Sequence, residues 1–303
     1  MEKMWSMTNV SKQYHIKAGQ EISALDDIDL DIYKGEVFGL IGESGSGKTT
    51  LGKVIIGIIE PTEGKIYFKG RDIAELRGKE LLGLRRESQI IFQNPYRSLN
   101  PRMRVAEMVM EGVKRDAGRV EQREMVRDLL QMVGIDIENM DNYPHQFSGG
   151  ERQRIAIARA LSTSPSFIVC DEPTSNLDLS VQAKILNLFM ELKDRLNLTY
   201  LFISHNIKVV NFIVDRVAVM YKGKIVEYGK KEDVMKNPLH PYTSLLISSS
   251  FLKKTDIAKK DTPDKKGCAF YPLCLYAEDM CAKCVPEMKE TTKGHFVACL
   301  KRI

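Results

Sequence analysis

Three groups of residues in this chain have the types and spacing to do chemistry. The first is the run Gly42-Glu43-Ser44-Gly45-Ser46-Gly47-Lys48-Thr49-Thr50, in which a glycine, four residues, a second glycine, a lysine and a threonine follow in order. Glycines let the main chain turn its N–H groups inward around phosphate oxygens, and a helix starting there points its positive end at the same anion. Lys48 can then reach β- and γ-phosphates, and the Thr49 hydroxyl can ligate Mg²⁺. The second group is Asp171-Glu172, which ends the apolar run in "SFIVCDEP". An acid pair after an apolar run is by itself commonly a solvated strand end. In a chain with a phosphate loop it gains a catalytic reading: Asp171 holds Mg²⁺ through water, and Glu172 polarises the attacking water as general base. Cys170, inside that run, reads as a small buried residue. The third group is Cys268-x5-Cys274-x6-Cys281-x2-Cys284-x14-Cys299, which places five of the six cysteines near the end of the chain.

These groups need elements to position them. Val37 to Ile41 reads as a short buried parallel strand before the glycine run, and "TTLGKVIIGII" reads as the helix after it. A length of 303 residues suits one large domain with an appendage, or two modest domains. Residues 1–250 alternate apolar runs with helical patterns and read as one domain. Residues 251–267, which include the lysine-rich "KKTDIAKKDTPDKK", read as a charged linker, and 268–303 as a Cys-rich extension. No internal repeat is visible.

The net charge of +5 is mild. From residue 251 onward there are 11 Lys/Arg against 7 Asp/Glu, so +4 of it lies there and the body is near neutral. That argues against nucleic acid as a partner. No apolar run approaches the ~18 residues of a membrane span. "MEKMWSMTNVSKQY" has no signal-peptide core, so the expected compartment is the cytosol, where thiols stay reduced and disulfides are disfavoured.

Many proteins use a phosphate loop, and further motifs decide among them. "IIFQNP" puts Gln93 after an apolar strand, "QFSGGERQRIAIARAL" opens a helix with Ser148-Gly149-Gly150, "SNLD" ends at Asp178, and "TYLFISHN" ends an apolar strand with His205. Taken alone, Ser-Gly-Gly is a helix N-terminal turn, and a lone His at a strand end is structural. In this order, the set resembles the ATP-binding subunit of ABC transporters over nearly all of residues 5–250. The resemblance implies a P-loop NTPase α/β fold with a RecA-like core, an antiparallel β subdomain and an α-helical signature subdomain. It implies that Tyr14 stacks on adenine and that Ser44, Gly45, Ser46, Gly47, Lys48, Thr49 and Thr50 hold the phosphates. Gln93 would sense γ-phosphate and Mg²⁺. Ser148, Gly149 and Gly150 would contact nucleotide on an opposing subunit, Asp178 would couple the two sites, and His205 would touch the γ-phosphate. Two positions depart from the common pattern: the signature reads Phe-Ser-Gly-Gly-Glu, and Asn206 follows His205 where Asp is usual.

A single copy of the set holds two half-sites, so the resemblance implies dimerisation with itself or with a similar subunit. "QNPYRSLNPRMRV", "PLHPYTSLLISS" and "GCAFYPLCLYA" are similar to the oligopeptide and dipeptide importers, a subfamily that includes nickel importers. That implies two permease subunits, a second ATPase subunit, an extracytoplasmic binding protein, and a peripheral place at the cytoplasmic face of the membrane. The 93–105 loop would receive a permease helix. For the tail, the resemblance implies a [4Fe-4S] cluster on Cys268, Cys274, Cys281 and Cys299, with Cys284 as alternate. A Zn²⁺ site is the other metal reading, because Cys281-x2-Cys284 has knuckle spacing and His295 is near. Free thiols in a mobile tail, or disulfides formed on oxidation, are the readings without metal. A metal-chelate importer, a DNA-repair or ribosome-associated ATPase, and a nucleotide-binding regulator without turnover are the competing functions. Repair proteins of this kind carry long coiled-coil insertions and ribosomal ones usually two ATPase copies, and this chain has neither. Glu172 and His205 argue for turnover.

Overall fold

The computed structural model describes residues 2–16, 20–113, 118–249 and 267–301. The chain forms two compact units that interleave along the sequence: one comprises Tyr33–Gly35 and Glu75–Phe202, the other Glu2–Ile32, Glu36–Ala74 and Ile203–Ile303. The linker expected at 251–267 falls almost wholly outside the described residues.

The second unit holds two sheet regions. The first is four-stranded, ordered Gln20–Tyr33, Lys3–Ile16, Glu63–Phe68, Arg71–Asp72. Its inner pair is antiparallel, with Trp5 opposite Phe68 and Met7 opposite Ile66. This is the antiparallel β subdomain, and Tyr14 lies on its longest strand pair. The other region contains Val37–Ile41, all five residues buried, paired in parallel with Arg216–Tyr221. A strand buried on both faces reads as an unbroken apolar run, as this one does. Lys224–Lys230 then pairs antiparallel with Arg216–Tyr221. The phosphate-loop helix Lys48–Ile55 follows the Val37–Ile41 strand and buries Leu51, Val54 and Ile55.

The cysteine tail extends this same sheet. Strand His295–Val297 pairs with Lys224–Lys230, matching Val297 to Glu227 and Phe296 to Tyr228, and Lys289–Thr292 adds beyond it. Phe296 stacks on Tyr228 with ring centroids 4.5 Å apart. Main-chain pairing with the body thus gives the tail the order that its own small core could not.

The first unit carries the parallel strands Ser88–Ile91 and Phe167–Asp171, with Ile91 opposite Cys170. Its helices include Arg119–Met132, Gly149–Leu161 and Leu179–Leu196. The last ends at Asn197, whose φ of 52° is the left-handed stop of a helix C-terminus. No helix among the described residues is long and apolar enough to cross a membrane.

Candidate nucleotide site and cysteine tail

The glycine run forms a strand–loop–helix turn in which two glycines have no substitute. Gly42 has φ 153°, and a Cβ there would lie 2.1 Å from the Met220 carbonyl oxygen; at Gly47, φ 106°, it would lie 2.3 Å from that of Ala24. Only a residue without a side chain fits either place. Lys48 is buried, and its ammonium donates to the carbonyls of Gly42 at 2.8 Å and Glu43 at 2.7 Å and to Ser46 Oγ at 3.3 Å. The cation is thereby held inside the curl of its own loop. Ser44, Gly45 and Thr49 are exposed.

In the other unit, Asp171 ends the buried strand Phe167–Asp171 and is itself buried. Glu172 follows with φ 46°, a left-handed conformation that costs a non-glycine residue about 1–3 kcal/mol and recurs at functional sites. The Gln93 amide donates to Glu172 Oε2 at 2.7 Å, and Asn176 Nδ2 donates to the Gln93 carbonyl at 3.4 Å. The two side chains are 79 positions apart in sequence, and the structure brings them together. Cys170 is fully buried, and burial pushes its thiol pKa well up, so it is inert packing.

Ser148 caps the helix Gly149–Leu161 in a capping box. Its Oγ accepts from the Glu151 N–H at 3.3 Å, while Glu151 Oε2 accepts from the Ser148 N–H at 2.8 Å. These bonds to Ser148 hold the Glu151 pKa below its usual value. The Glu that departs from the common signature therefore has a local purpose. Asp178 likewise caps Leu179–Leu196, accepting from Val181 N–H at 2.9 Å and Ser180 Oγ at 2.8 Å, and those bonds lower its pKa. Ser148, Gly149 and Asp178 are exposed. Gly150 fits closely against Val181, whose Cγ1 would lie 2.6 Å from an added Cβ.

His205 is exposed just past the strand Thr199–Ile203. Asn206, the other departure, accepts from the Lys208 N–H at 3.0 Å and so caps the helix Ile207–Ile213, a task Asp does equally well. Tyr14 is 37% exposed, with Lys12 Nζ 5.4 Å from its ring centroid. In the 93–105 loop, the exposed Tyr96 ring lies 3.8 Å from the Arg152 guanidinium carbon, and the Ser98 carbonyl accepts from Arg159. Two residues of the signature helix thus grip the loop expected to meet a permease.

The tail brings Cys268, Cys274, Cys281 and Cys299 to the lining of one cavity, together with Phe270 and His240; Cys284 is exposed and is not in that lining. Burial, chiefly, raises the Cys268 pKa, and the neighbouring Cys281, Cys274 and Cys299 add to it. Among the described residues, no three His, Cys, Asp or Glu side chains are grouped as a metal ion would need. The donors are of the right type and number for a thiolate-held group, but the thiols are not drawn onto one point. His295, expected near a zinc site, is buried elsewhere: its Nε2 is 2.8 Å from Glu227 Oε1. Its partner Glu227, fully buried, also accepts from the N–H groups of Leu239 and His240 at 2.8 Å each. The sequence reading missed this carboxylate, although an acid inside the apolar strand "KIVEYGK" was the available signal.

The loop, the capped signature helix and the Gln93–Glu172 pair define a nucleotide hydrolase of the ABC type. The chain belongs to the ABC transporter family: residues 25–175 match that family, and residues 226–281 match the oligopeptide/dipeptide transporter C-terminal region. Similar proteins include the oligopeptide transport ATP-binding protein OppF of Bacillus subtilis, 44% identical over 95% of this chain and 93% of that protein. AppF of the same organism, also an oligopeptide transport ATP-binding protein, is 41% identical over 98% of this chain and 97% of its own length. Among solved structures, the dimeric ATP-binding cassette MJ0796 with ADP and Pi superposes with a TM-score of 0.68 at 30% identity, covering 75% of this chain and 99% of that one. CbiO1 from Clostridium perfringens, part of the cbiONQ transporter complex, gives 0.69 at 29% identity, covering 78% and 92%. The chain is an ATP-hydrolysing subunit with the α/β core and antiparallel subdomain expected from its sequence.

Proposed function

We propose that this chain energises uptake of oligopeptides or dipeptides through two permease subunits, paired with a second ATPase subunit and supplied by an extracytoplasmic binding protein. What carries the reading is similarity, over 95–98% of this chain, to oligopeptide transport ATP-binding proteins, which continues through the C-terminal region. The permeases would hold the chain at the cytoplasmic face of the membrane.

On this reading the site residues divide the work of hydrolysis among them. Tyr14 stacks on the base. The loop amides of residues 44–50 and Lys48 bind the phosphates, Lys48 exchanging its carbonyl partners for phosphate oxygens. Thr49, Gln93 and, through water, Asp171 would hold Mg²⁺, which when bound would supply neutralising charge to the phosphates. When Gln93 turns to the γ-phosphate and its metal site it would leave Glu172, freeing the carboxylate to take a proton from water. His205 steadies the γ-phosphate. Ser148, Gly149 and Gly150, presented at an exposed helix start, complete the site of the second subunit, and Asp178 links the two sites. After cleavage the bridging contacts are fewer, the subunits part, and the permeases change state.

For the tail, the reading is a [4Fe-4S] cluster on Cys268, Cys274, Cys281 and Cys299. The shared cavity supports this ligand set over any that includes Cys284. A cluster would draw the thiols together and fix the tail. Zinc on the same four cysteines is the other reading; His295 is committed to Glu227. Electron transfer has no part in ATP hydrolysis, so the role is structural.

The test is uptake of a labelled peptide by proteoliposomes containing the native complex, purified through a tag on this chain. MgATP-dependent uptake that disappears with Glu172→Gln supports the proposal. A complex that hydrolyses ATP yet takes up nickel chelates and no peptide overturns the cargo.

A further inference from the structure

The loop residue Glu43 is held at both of its main-chain groups. Its carbonyl accepts from Lys48 Nζ at 2.7 Å, and its N–H donates to the Tyr242 hydroxyl at 2.9 Å. A phosphate loop binds anions with backbone N–H groups whose direction is set beforehand, so whatever fixes the Glu43 peptide fixes the turn that follows it. Tyr242 is well suited to do so. It is 1% exposed, and burial pushes its phenol pKa up, so the hydroxyl stays neutral.

Tyr242 is in turn held by the cysteine tail. Its ring contacts Tyr221 at 4.5 Å and Phe270 at 5.5 Å between centroids, and Phe270 meets Tyr221 edge-on at 5.3 Å. Phe270 is 3% exposed and lies in the turn that follows Cys268, where the Tyr271 N–H donates to the Cys268 carbonyl at 2.9 Å. The backbone is tied as well: the Tyr242 N–H donates to His240 Nδ1 at 3.0 Å, the His240 N–H donates to Glu227, and Glu227 binds His295 of the tail.

We propose that Tyr242 is a positioning residue for the phosphate loop and that the cysteine-bearing tail sets its place through Phe270, so that docking of the tail governs affinity for MgATP. This rests on the nucleotide site of the proposed function and not on any metal in the tail. Tyr242 never touches nucleotide; it acts through the Glu43 peptide. The tail is thereby a structural control on the ATP site and more than an appendage to the sheet.

The experiment measures MgATP affinity of the purified full-length chain and amide hydrogen exchange over residues 42–47, for the wild type, Tyr242→Phe, Phe270→Leu and the double variant. Tyr242→Phe keeps the ring contacts and removes one hydrogen bond; the account expects roughly three- to tenfold weaker MgATP binding and faster exchange at Glu43. Phe270→Leu weakens binding by a smaller factor, and the double variant is no weaker than Tyr242→Phe, because both act on one element. Unchanged affinity and exchange in Tyr242→Phe overturn the positioning role. A Phe270→Leu penalty that multiplies in full in the double variant overturns the link to the tail. Should the variants fail to fold, exchange in the wild type decides: a Glu43 amide slower than that of exposed Ser44 supports the bond, and an equally fast one overturns it. A wild-type chain that binds no MgATP would fail the proposed function instead.

Discussion

The Gln93 side-chain amide donates a 2.7 Å hydrogen bond to the Glu172 carboxylate, so the residue expected to sense the γ-phosphate is engaged with the expected general base. The bond holds the carboxylate against the Gln93 side chain. Its release on nucleotide arrival would couple binding to activation. Gln93→Ala should therefore lower ATP turnover by about tenfold or more while MgATP affinity stays within about threefold. Steady-state kinetics with a separate binding measurement checks this. An equal loss of affinity would make Gln93 chiefly a binding residue.

The signature helix makes a second prediction. Ser148→Ala removes the cap of Gly149–Leu161 and should cost about 0.5–2 kcal/mol in denaturant unfolding, as well as impairing turnover in the assembled complex. Glu151→Gln, by contrast, keeps an acceptor for the Ser148 N–H. Its stability should stay within about 0.5 kcal/mol of wild type.

The buried carboxylate at the tail junction makes a third. Glu227→Gln leaves one oxygen where the Leu239 and His240 N–H groups and His295 had two, and turns an NH₂ donor toward other donors. The cost should be about 1–3 kcal/mol, seen as a lower melting temperature and faster proteolysis of the tail. A variant as stable and as resistant as wild type would show that the tail docks by strand pairing alone.

The cysteines make a fourth. Metal content of the anaerobically purified chain should fall with Cys268→Ser, Cys274→Ser, Cys281→Ser or Cys299→Ser and stay unchanged with Cys284→Ser, since only the first four share the cavity. Broad absorption near ~400 nm with iron and sulfide marks a cluster; zinc without colour marks a zinc site. Equal loss from Cys284→Ser would reassign the ligands.

The residues that could be read from the sequence are those whose function depends on local spacing. Gly42, Gly47 and Lys48 follow from one turn of chain, and the capped starts at Ser148 and Asp178 from three or four residues each. The Glu151 capping box was legible in the same way, as Ser-x-x-Glu before an apolar helix, but registered only as a departure from a common signature. Contacts between distant segments were not legible. Glu43 and Tyr242 are 199 positions apart, and no periodicity connects them. Nor did the tail's composition announce that it would pair with Lys224–Lys230, because strands of three and four residues carry almost no alternation.

The central claim is tested most directly by ATP turnover in the complex purified through this chain, wild type against Glu172→Gln, with MgATP binding measured on the same samples. The account predicts that turnover falls by about a hundredfold or more while binding persists, because the substitution removes a base and leaves the phosphate loop intact. Turnover that continues at the wild-type rate would contradict the assignment of Glu172 and, with it, the hydrolytic mechanism drawn from this site.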